Sequence, residues 1–290
     1  MINEGFDPGY FYSVIPNITK DYNNTSTKFI DISFNDDKHI EILNEIPNYL
    51  TKFDSTFGIA NNSELQANVA RRQQELQYTI PNEAFEWMDG RLLHYYLQKN
   101  KPKKIIEIGC GNSTLLTYNT KEMFNLDVEI TCIEPYPTDY LVKLHDEGKI
   151  NLIKDKLENI DLQMFKNLNE HDILFIDSSH VLKLDSDVMY YFTKILPLLK
   201  KNVLVHIHDI FFPYDYPLDW LKEGRFWNEQ YFLYVFLQFN TKFKIQFSNS
   251  YALFKFHDKL KAIQKDSYEI VNNITKGVFG GGSMWMLVTE

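Results

Sequence analysis

The 290-residue chain is short of several residue types, and each shortage removes a class of protein. Its two cysteines, Cys110 and Cys132, show no CxxC or Cys/His ligand spacing. That excludes a disulfide-stapled domain and a zinc-ribbon site, and inert core thiols are the expectation. No basic run is dense enough to track a phosphate backbone; Lys101, Lys103 and Lys104 mark only the solvated entry to an apolar strand. With 30 Lys and Arg against 39 Asp and Glu, the formal net charge is -9, so nucleic acid is not the expected partner. No stretch is long and apolar enough to cross a bilayer, and the amino terminus has no basic segment leading into an apolar run. The expected compartment is cytoplasmic. There is no internal repeat and no low-complexity tract.

Aromatic residues are plentiful at 15%, with 22 Phe and 18 Tyr, enough to fill a core and still line a pocket for a flat or amphipathic ligand. Residues 1–63 are polar and rich in Asn and Asp, with short apolar alternations at Phe29-Ile30-Asp31-Ile32 and Ile40-Glu41-Ile42-Leu43. They read as an amino-terminal extension with little core of its own, lying over the main domain or serving self-association; the oligomeric state stays open. Residues 64–290 read as one domain, with a helical insertion at about 251–277. At its start, Phe85, Met88, Leu92, Leu93, Tyr96 and Leu97 recur at spacings of three and four, which predicts a helix with one apolar face.

Beyond Pro102 short apolar runs alternate with helical stretches. Ile105–Ile108, Val128–Ile133, Ile150–Ile153, Ile173–Ile176 and Val203–Ile207 read as strands. Continuous apolar strands separated by amphipathic helices mean an α/β fold, a parallel sheet covered on both faces. A heavily aromatic helix follows at Trp227–Phe239, and Phe243–Ser248 with Ser283–Val288 would close the sheet as an antiparallel pair.

Open parallel sheets bind ligands beyond the carboxyl ends of their strands. Here each strand end carries a glycine, a carboxylate or a histidine. The first leads into Glu107-Ile108-Gly109-Cys110-Gly111-Asn112-Ser113-Thr114, where Gly109 and Gly111 let backbone turn tightly against a ligand. Glu134 ends the second strand and suits the ribose hydroxyls of a nucleoside; Asp155, after the third, is a candidate for an adenine amino group. A nicotinamide dinucleotide or S-adenosylmethionine would use such residues. Thr114 at the helix-packing position in place of a third glycine, with the acid Glu107 inside the strand, favours the sulfonium cofactor.

The glycine loop, Ile133-Glu134-Pro135, Phe175-Ile176-Asp177-Ser178-Ser179-His180 and Val205-His206-Ile207-His208-Asp209-Ile210-Phe211 together resemble class I S-adenosylmethionine-dependent methyltransferases, in the bacterial branch that modifies small molecules and glycans. The resemblance spans about residues 78–250 plus the strand after Gly281-Gly282. It implies a Rossmann-like three-layer sandwich with a mostly parallel seven-stranded sheet and an antiparallel carboxy-terminal strand. It also implies that Gly109, Gly111 and Ser113 line S-adenosylmethionine, with Glu134 on its ribose; Glu107 and Asp177 are further candidates for holding it. No Asn/Asp-Pro-Pro-Tyr motif follows the fourth strand, which argues against amino-group acceptors and for an oxygen acceptor.

Neighbouring fourth and fifth strands would bring Asp177, His180, His208 and Asp209 together. A hydroxyl is a weak nucleophile near neutral pH, and a histidine of ordinary pKa about 6.5 is a natural base for it. His180 and His208 are the candidates, with Asp209 beside them. Asp177 and Asp209 are also the pair that could hold a divalent metal. That is the lesser expectation, because catechol-type members place another acid or Asn beside the second Asp, where His208 and Ile210 stand here. The segment Phe211–Pro217 with Trp220, Arg225 and Trp227 reads as an acceptor wall suited to sugar rings. An O-methyltransferase for a small polar acceptor such as a sugar or glycan intermediate is the leading reading; a nicotinamide-dependent oxidoreductase and a non-catalytic cofactor-binding module are the alternatives.

Overall fold

The computed structural model describes residues 7–17, 27–58, 65–264 and 281–290. Seven strands form one sheet: β1 Lys104–Ile108, β2 Glu129–Ile133, β3 Asn151–Ile153, β4 Ile173–Ile176, β5 Leu204–Ile207, β6 Phe243–Ser248 and β7 Met284–Val288. Their order is β3-β2-β1-β4-β5-β7-β6. The first five run parallel, and β7 lies antiparallel between β5 and β6. The expected architecture, including the antiparallel closing strand, is what the chain forms. Because β1 is followed outward on one side by β2 and β3 and on the other by β4 and β5, the strand order reverses between β1 and β4. That is where an open sheet leaves a crevice.

Before the sheet come α1 Asp36–Glu45, α2 Phe53–Phe57, α3 Leu65–Gln74 and α4 Trp87–Asn100. The crossovers then carry α5 Asn112–Phe124, α6 Asp139–Asp146, α7 Gln163–Lys166 and α8 Asp187–Tyr190. After β5 come α9 Leu218–Lys222 and α10 Glu229–Gln238, and after β6 come α11 Asn249–Lys255 and α12 His257–Ile263. The rest of the expected insertion, residues 265–277, lies outside the described residues, as does the boundary at 63/64.

Strand alternation divides the core in two. Ile105, Ile130, Ile173 and Phe175 face α4, α5 and α6, whereas Ile106, Ile108, Leu174 and Ile176 face the side of α8 and α10. Glu107 falls on the first of these faces and is wholly buried there.

α4 departs from the one-faced helix its spacing predicts. Every residue from Trp87 to Leu97 is buried, Asp89, Arg91 and His94 included. The amino-terminal segment covers its other side: Ile42, Ile46, Phe53 and Phe57 share one apolar cluster with Leu92 and Leu93. Each such side chain contributes roughly 1.5–3 kcal/mol when fully buried. The polar members of α4 are matched inside: the Arg91 guanidinium pairs with Asp54 and donates to Trp87 O at 3.0 Å, and His94 Nδ1 lies 2.8 Å from Thr120 Oγ1. Ile40-Glu41-Ile42-Leu43 belongs to α1, turning Ile42 and Leu43 inward and leaving Ile40 outside.

Candidate active site

The glycine loop is shaped by one close approach. Gly109 has φ +75°, and a Cβ there would stand 1.8 Å from the Asp177 carbonyl oxygen. Only glycine lets the end of β1 turn so close to the end of β4. Gly109 N–H donates to Ile133 O at 3.0 Å and Asp177 N–H to Ile108 O at 2.8 Å, which ties the three strand ends together. Gly111 opens α5 with extended backbone, and Cys110 and Cys132 are free thiols, the latter buried.

A cleft of about 480 Å³ opens over this turn. Its lining includes Gly109, Glu134, Tyr136, Leu157, Glu158 and Asp177, and its size is in the range of small-molecule sites. Glu134 Oε2 accepts from Cys110 N–H at 3.3 Å and Oε1 from Tyr136 N–H at 2.8 Å, so the carboxylate is held at the lip between the glycine loop and β2. These features fit a nucleoside: an acid at the end of β2 and accessible backbone at Gly109.

Four expected cofactor residues lie outside the lining of this cleft: Glu107, Gly111, Ser113 and Asp155. Glu107 faces α5, where Thr114, Thr117 and Ser113 donate to its carboxylate at 2.6, 3.1 and 3.3 Å. Burial pushes its carboxyl up to about 7 despite those bonds. Ser113 is turned inward by the same contact, and neither it nor Gly111 lines the cleft. Asp155 is exposed and closes its own turn, accepting from Lys156 N–H and Asn159 Nδ2, both at 2.7 Å; Lys156, Leu157 and Glu158 line the cleft there instead.

The ends of β4 and β5 build a second, closed half. His180 Nε2 lies 3.3 Å from Asp177 Oδ1 and 3.5 Å from Asp209 Oδ2, and His208 Nε2 lies 3.6 Å from Asp209 Oδ1. The four residues expected to meet do so. His180 and Asp209 both take left-handed backbone, with φ +59° and +56°, strain that persists only where surroundings enforce it. The two histidines and Asp209 are largely buried, whereas the Asp177 side chain stays 34% exposed and faces the cleft. Asp177 is therefore the member shared by both halves.

The charges are strongly coupled. Burial disfavours the His180 cation, but Glu229 and Asp177 outweigh it and hold its pKa well above the ordinary value. Burial likewise opposes the His208 cation, and Asp209, Asp177 and Asp89 raise it in net. Burial pushes Asp177 up while His208 and His180 pull it below the usual carboxylate range. Asp209 is raised, chiefly by burial. His206, the third histidine of this stretch, is a core residue: it stacks on Phe175 at 3.9 Å, meets Ser283 Oγ at 2.9 Å, and burial holds it neutral.

Ligand atoms of Asp177, His180 and Asp209 all lie within 4.8 Å of one another, a spacing a divalent cation can use. Glu107, Cys110 and Cys132 also cluster, but three hydroxyls already occupy that carboxylate.

Two acids escaped the sequence reading. Glu229, on α10, accepts from His180 Nδ1 at 2.7 Å. Asp89, on α4, accepts from Asn249 Nδ2 and Ser283 N–H at 2.8 and 2.9 Å, and burial pushes it up to about 6. A lone acid opening the aromatic run of α10 is the signal that could have found Glu229.

Residues 106–210 match the family model described as a methyltransferase domain. An uncharacterized protein of Archaeoglobus fulgidus is 29% identical over 178 residues, which cover 58% of this chain and 76% of that one. Among solved structures, the plantazolicin methyltransferase BamL, in complex with a triazolic desmethylPZN analog and SAH, is 15% identical with a TM-score of 0.47, over 87% of this chain and 99% of its own. The SAH-bound Podospora anserina methyltransferase PaMTH1 is 18% identical with a TM-score of 0.36, over 80% and 98%. Likenesses at this level say nothing of the acceptor. The matched segment, residues 106–210, is similar to a methyltransferase domain, and it holds the glycine loop and the ends of β1 to β5.

Proposed function

We propose that this protein is an O-methyltransferase for a small polar acceptor, a sugar or glycan intermediate fitting best, and that the His180, His208, Asp177 and Asp209 cluster receives the acceptor oxygen. The cofactor presents a methyl carbon on a positive sulfur, and the protein's task is to align the acceptor and take its proton. The observation that carries the reading is the junction at Asp177: the open cleft with Glu134 at its lip meets, across one residue, a buried pair of histidines. His208 is the better base. Carboxylates hold His180 at both nitrogens, whereas His208 Nδ1 has no hydrogen-bond partner among the described residues. Beside them stands an aromatic wall, Phe211 and Trp227 each packed on Trp220, at 5.3 and 5.0 Å, with Arg225 over both tryptophans.

Calorimetric titration with S-adenosylhomocysteine tests the cofactor half, and transfer of label from [methyl-³H]S-adenosylmethionine to a panel of polyhydroxylated acceptors tests the rest. Label appearing only on amines would sink the oxygen reading. With an acceptor in hand, His208→Ala should lose at least about a hundredfold in rate, and undiminished turnover would remove His208 as base.

A second reading has its own observation, the close spacing of Asp177, His180 and Asp209. These residues would hold a divalent metal, which would orient the acceptor hydroxyl and acidify it. Transfer abolished by EDTA and restored by Mg²⁺ favours this reading; indifference to EDTA dismisses it.

A further inference from the structure

Glu229 opens α10, and none of its side chain reaches solvent. Three donors converge on its carboxylate: His180 Nδ1 at 2.7 Å, Ser178 Oγ at 3.1 Å and the Tyr191 hydroxyl. The backbone grips the same loop, since Asn228 and Glu229 N–H groups both donate to His180 O, at 3.1 and 3.2 Å. The Asn228 side chain bonds Leu182 twice, accepting from its N–H at 2.6 Å and donating to its carbonyl at 3.2 Å. The Trp227 ring covers the imidazole, centroid to centroid 4.2 Å.

Helix capping does not account for this. A glutamate in a first turn favours the helix dipole equally well from the surface, and burying its charge costs heavily unless partners repay it. The partners here all belong to the loop that ends β4 or to the helical stretch behind it. The arrangement matches what keeps a functional imidazole in place: a carboxylate behind one nitrogen sets which face the other nitrogen shows.

We infer that Glu229 is the positioning residue of the site, holding His180 by Nδ1–H so that Nε2 is presented to Asp177 and Asp209. This rests on the reading of His180 as a member of the methyl-transfer site. Glu229 acts only through His180; if a metal is held there, Nε2 is the ligand atom and Glu229 stands behind it.

The test uses the full chain, ¹⁵N-labelled, with Mn²⁺ alone as the metal probe. In wild type, histidine side-chain NMR should show a slowly exchanging, strongly downfield Nδ1–H proton, assigned to His180 by its loss in His180→Gln. Glu229→Ala should abolish that resonance and weaken Mn²⁺ binding about 10- to 100-fold, while S-adenosylhomocysteine affinity stays within about threefold. Glu229→Gln keeps an acceptor oxygen, and the hydroxyls of Ser178 and Tyr191 can reverse their bonds. It should keep the resonance, displaced, and recover part of the Mn²⁺ affinity. A His180 resonance unaltered in Glu229→Ala overturns the inference. Should that variant fail to fold, a resonance unmoved in Glu229→Gln overturns it equally. If wild type binds no Mn²⁺, the metal reading alone falls; if it binds no S-adenosylhomocysteine, the cofactor cleft alone falls. In both cases the His180 resonance still decides the role of Glu229.

Discussion

The two halves of the site sit on neighbouring strand ends and are held in opposite ways. The cofactor half is open: Gly109, Glu134 and the turn after β3 are held by backbone contacts among neighbouring strand ends, and a ligand reaches them from solvent. The histidine half is closed and assembled from afar. His180 depends on Glu229, 49 positions later, and Asp209 leans against Gly282, where an added Cβ would come within 2.8 Å of the Asp209 backbone. An open half can bind with little reorganisation, while a closed half can hold strained backbone and unusual protonation because its surroundings do not relax. Asp177 belongs to both: it lines the cleft and lies 3.3 Å from His180 Nε2.

Substitutions should separate the halves, and the largest effect is expected where they touch. Gly109→Ala asks for a left-handed alanine with its Cβ inside the Asp177 carbonyl, and should cost about 3 kcal/mol or more in urea unfolding. A near-wild-type midpoint would mean that the junction between β1 and β4 is loose.

Glu107 gives the next effect, on stability alone. Its folded carboxyl titrates at about 7 against 4.5 unfolded. The unfolded chain therefore ionises first, and stability falls as pH rises through this window, by about 3 kcal/mol at full extent. Glu107→Gln lacks that titration, so its stability relative to wild type should climb between pH 5 and pH 8. Parallel curves for the two proteins would show that Glu107 is solvated and available to the ligand after all.

Glu134→Ala should weaken S-adenosylhomocysteine about 30-fold, the loss of charge-assisted bonds to the ribose, with little change in the His180 proton resonance. If that resonance moves as much as the affinity does, the halves are not separable. The smallest effect belongs to Asp155→Ala, about threefold or less in the same titration, because its carboxylate is engaged within its own exposed turn.

How much of this was legible without the fold follows the same division. The strands, the glycine turn and Glu134 announce themselves by short-range pattern, since a ligand-binding turn needs a particular backbone at a particular place. The meeting of Asp177, His180, His208 and Asp209 was legible too, because neighbouring parallel strands bring their ends together. Asp155 bonds its own turn, and in sequence such a side chain looks the same as one aimed at a ligand. Glu107 and Ser113 were read as facing the cleft because sequence marks them as near the loop without saying which side of the sheet they occupy. The spacing in α4 predicts one apolar face because the cover supplied by α1 and α2 comes from a polar segment whose few inward residues, Ile42, Leu43, Phe53 and Phe57, do not stand out in sequence.

By itself, then, the sequence determined the α/β architecture, the crevice at the strand ends and the chemical types present there, because hydrophobic period and turn chemistry are local. Only the tertiary structure decided which acids serve the ligand and which serve the protein. Glu107 and Glu229 are both glutamates beside conspicuous motifs, yet one is bound by three hydroxyls beneath the loop and the other stands behind a histidine. A carboxylate's role is set by the donors that reach it, and donors far along the chain converge only once the core has packed.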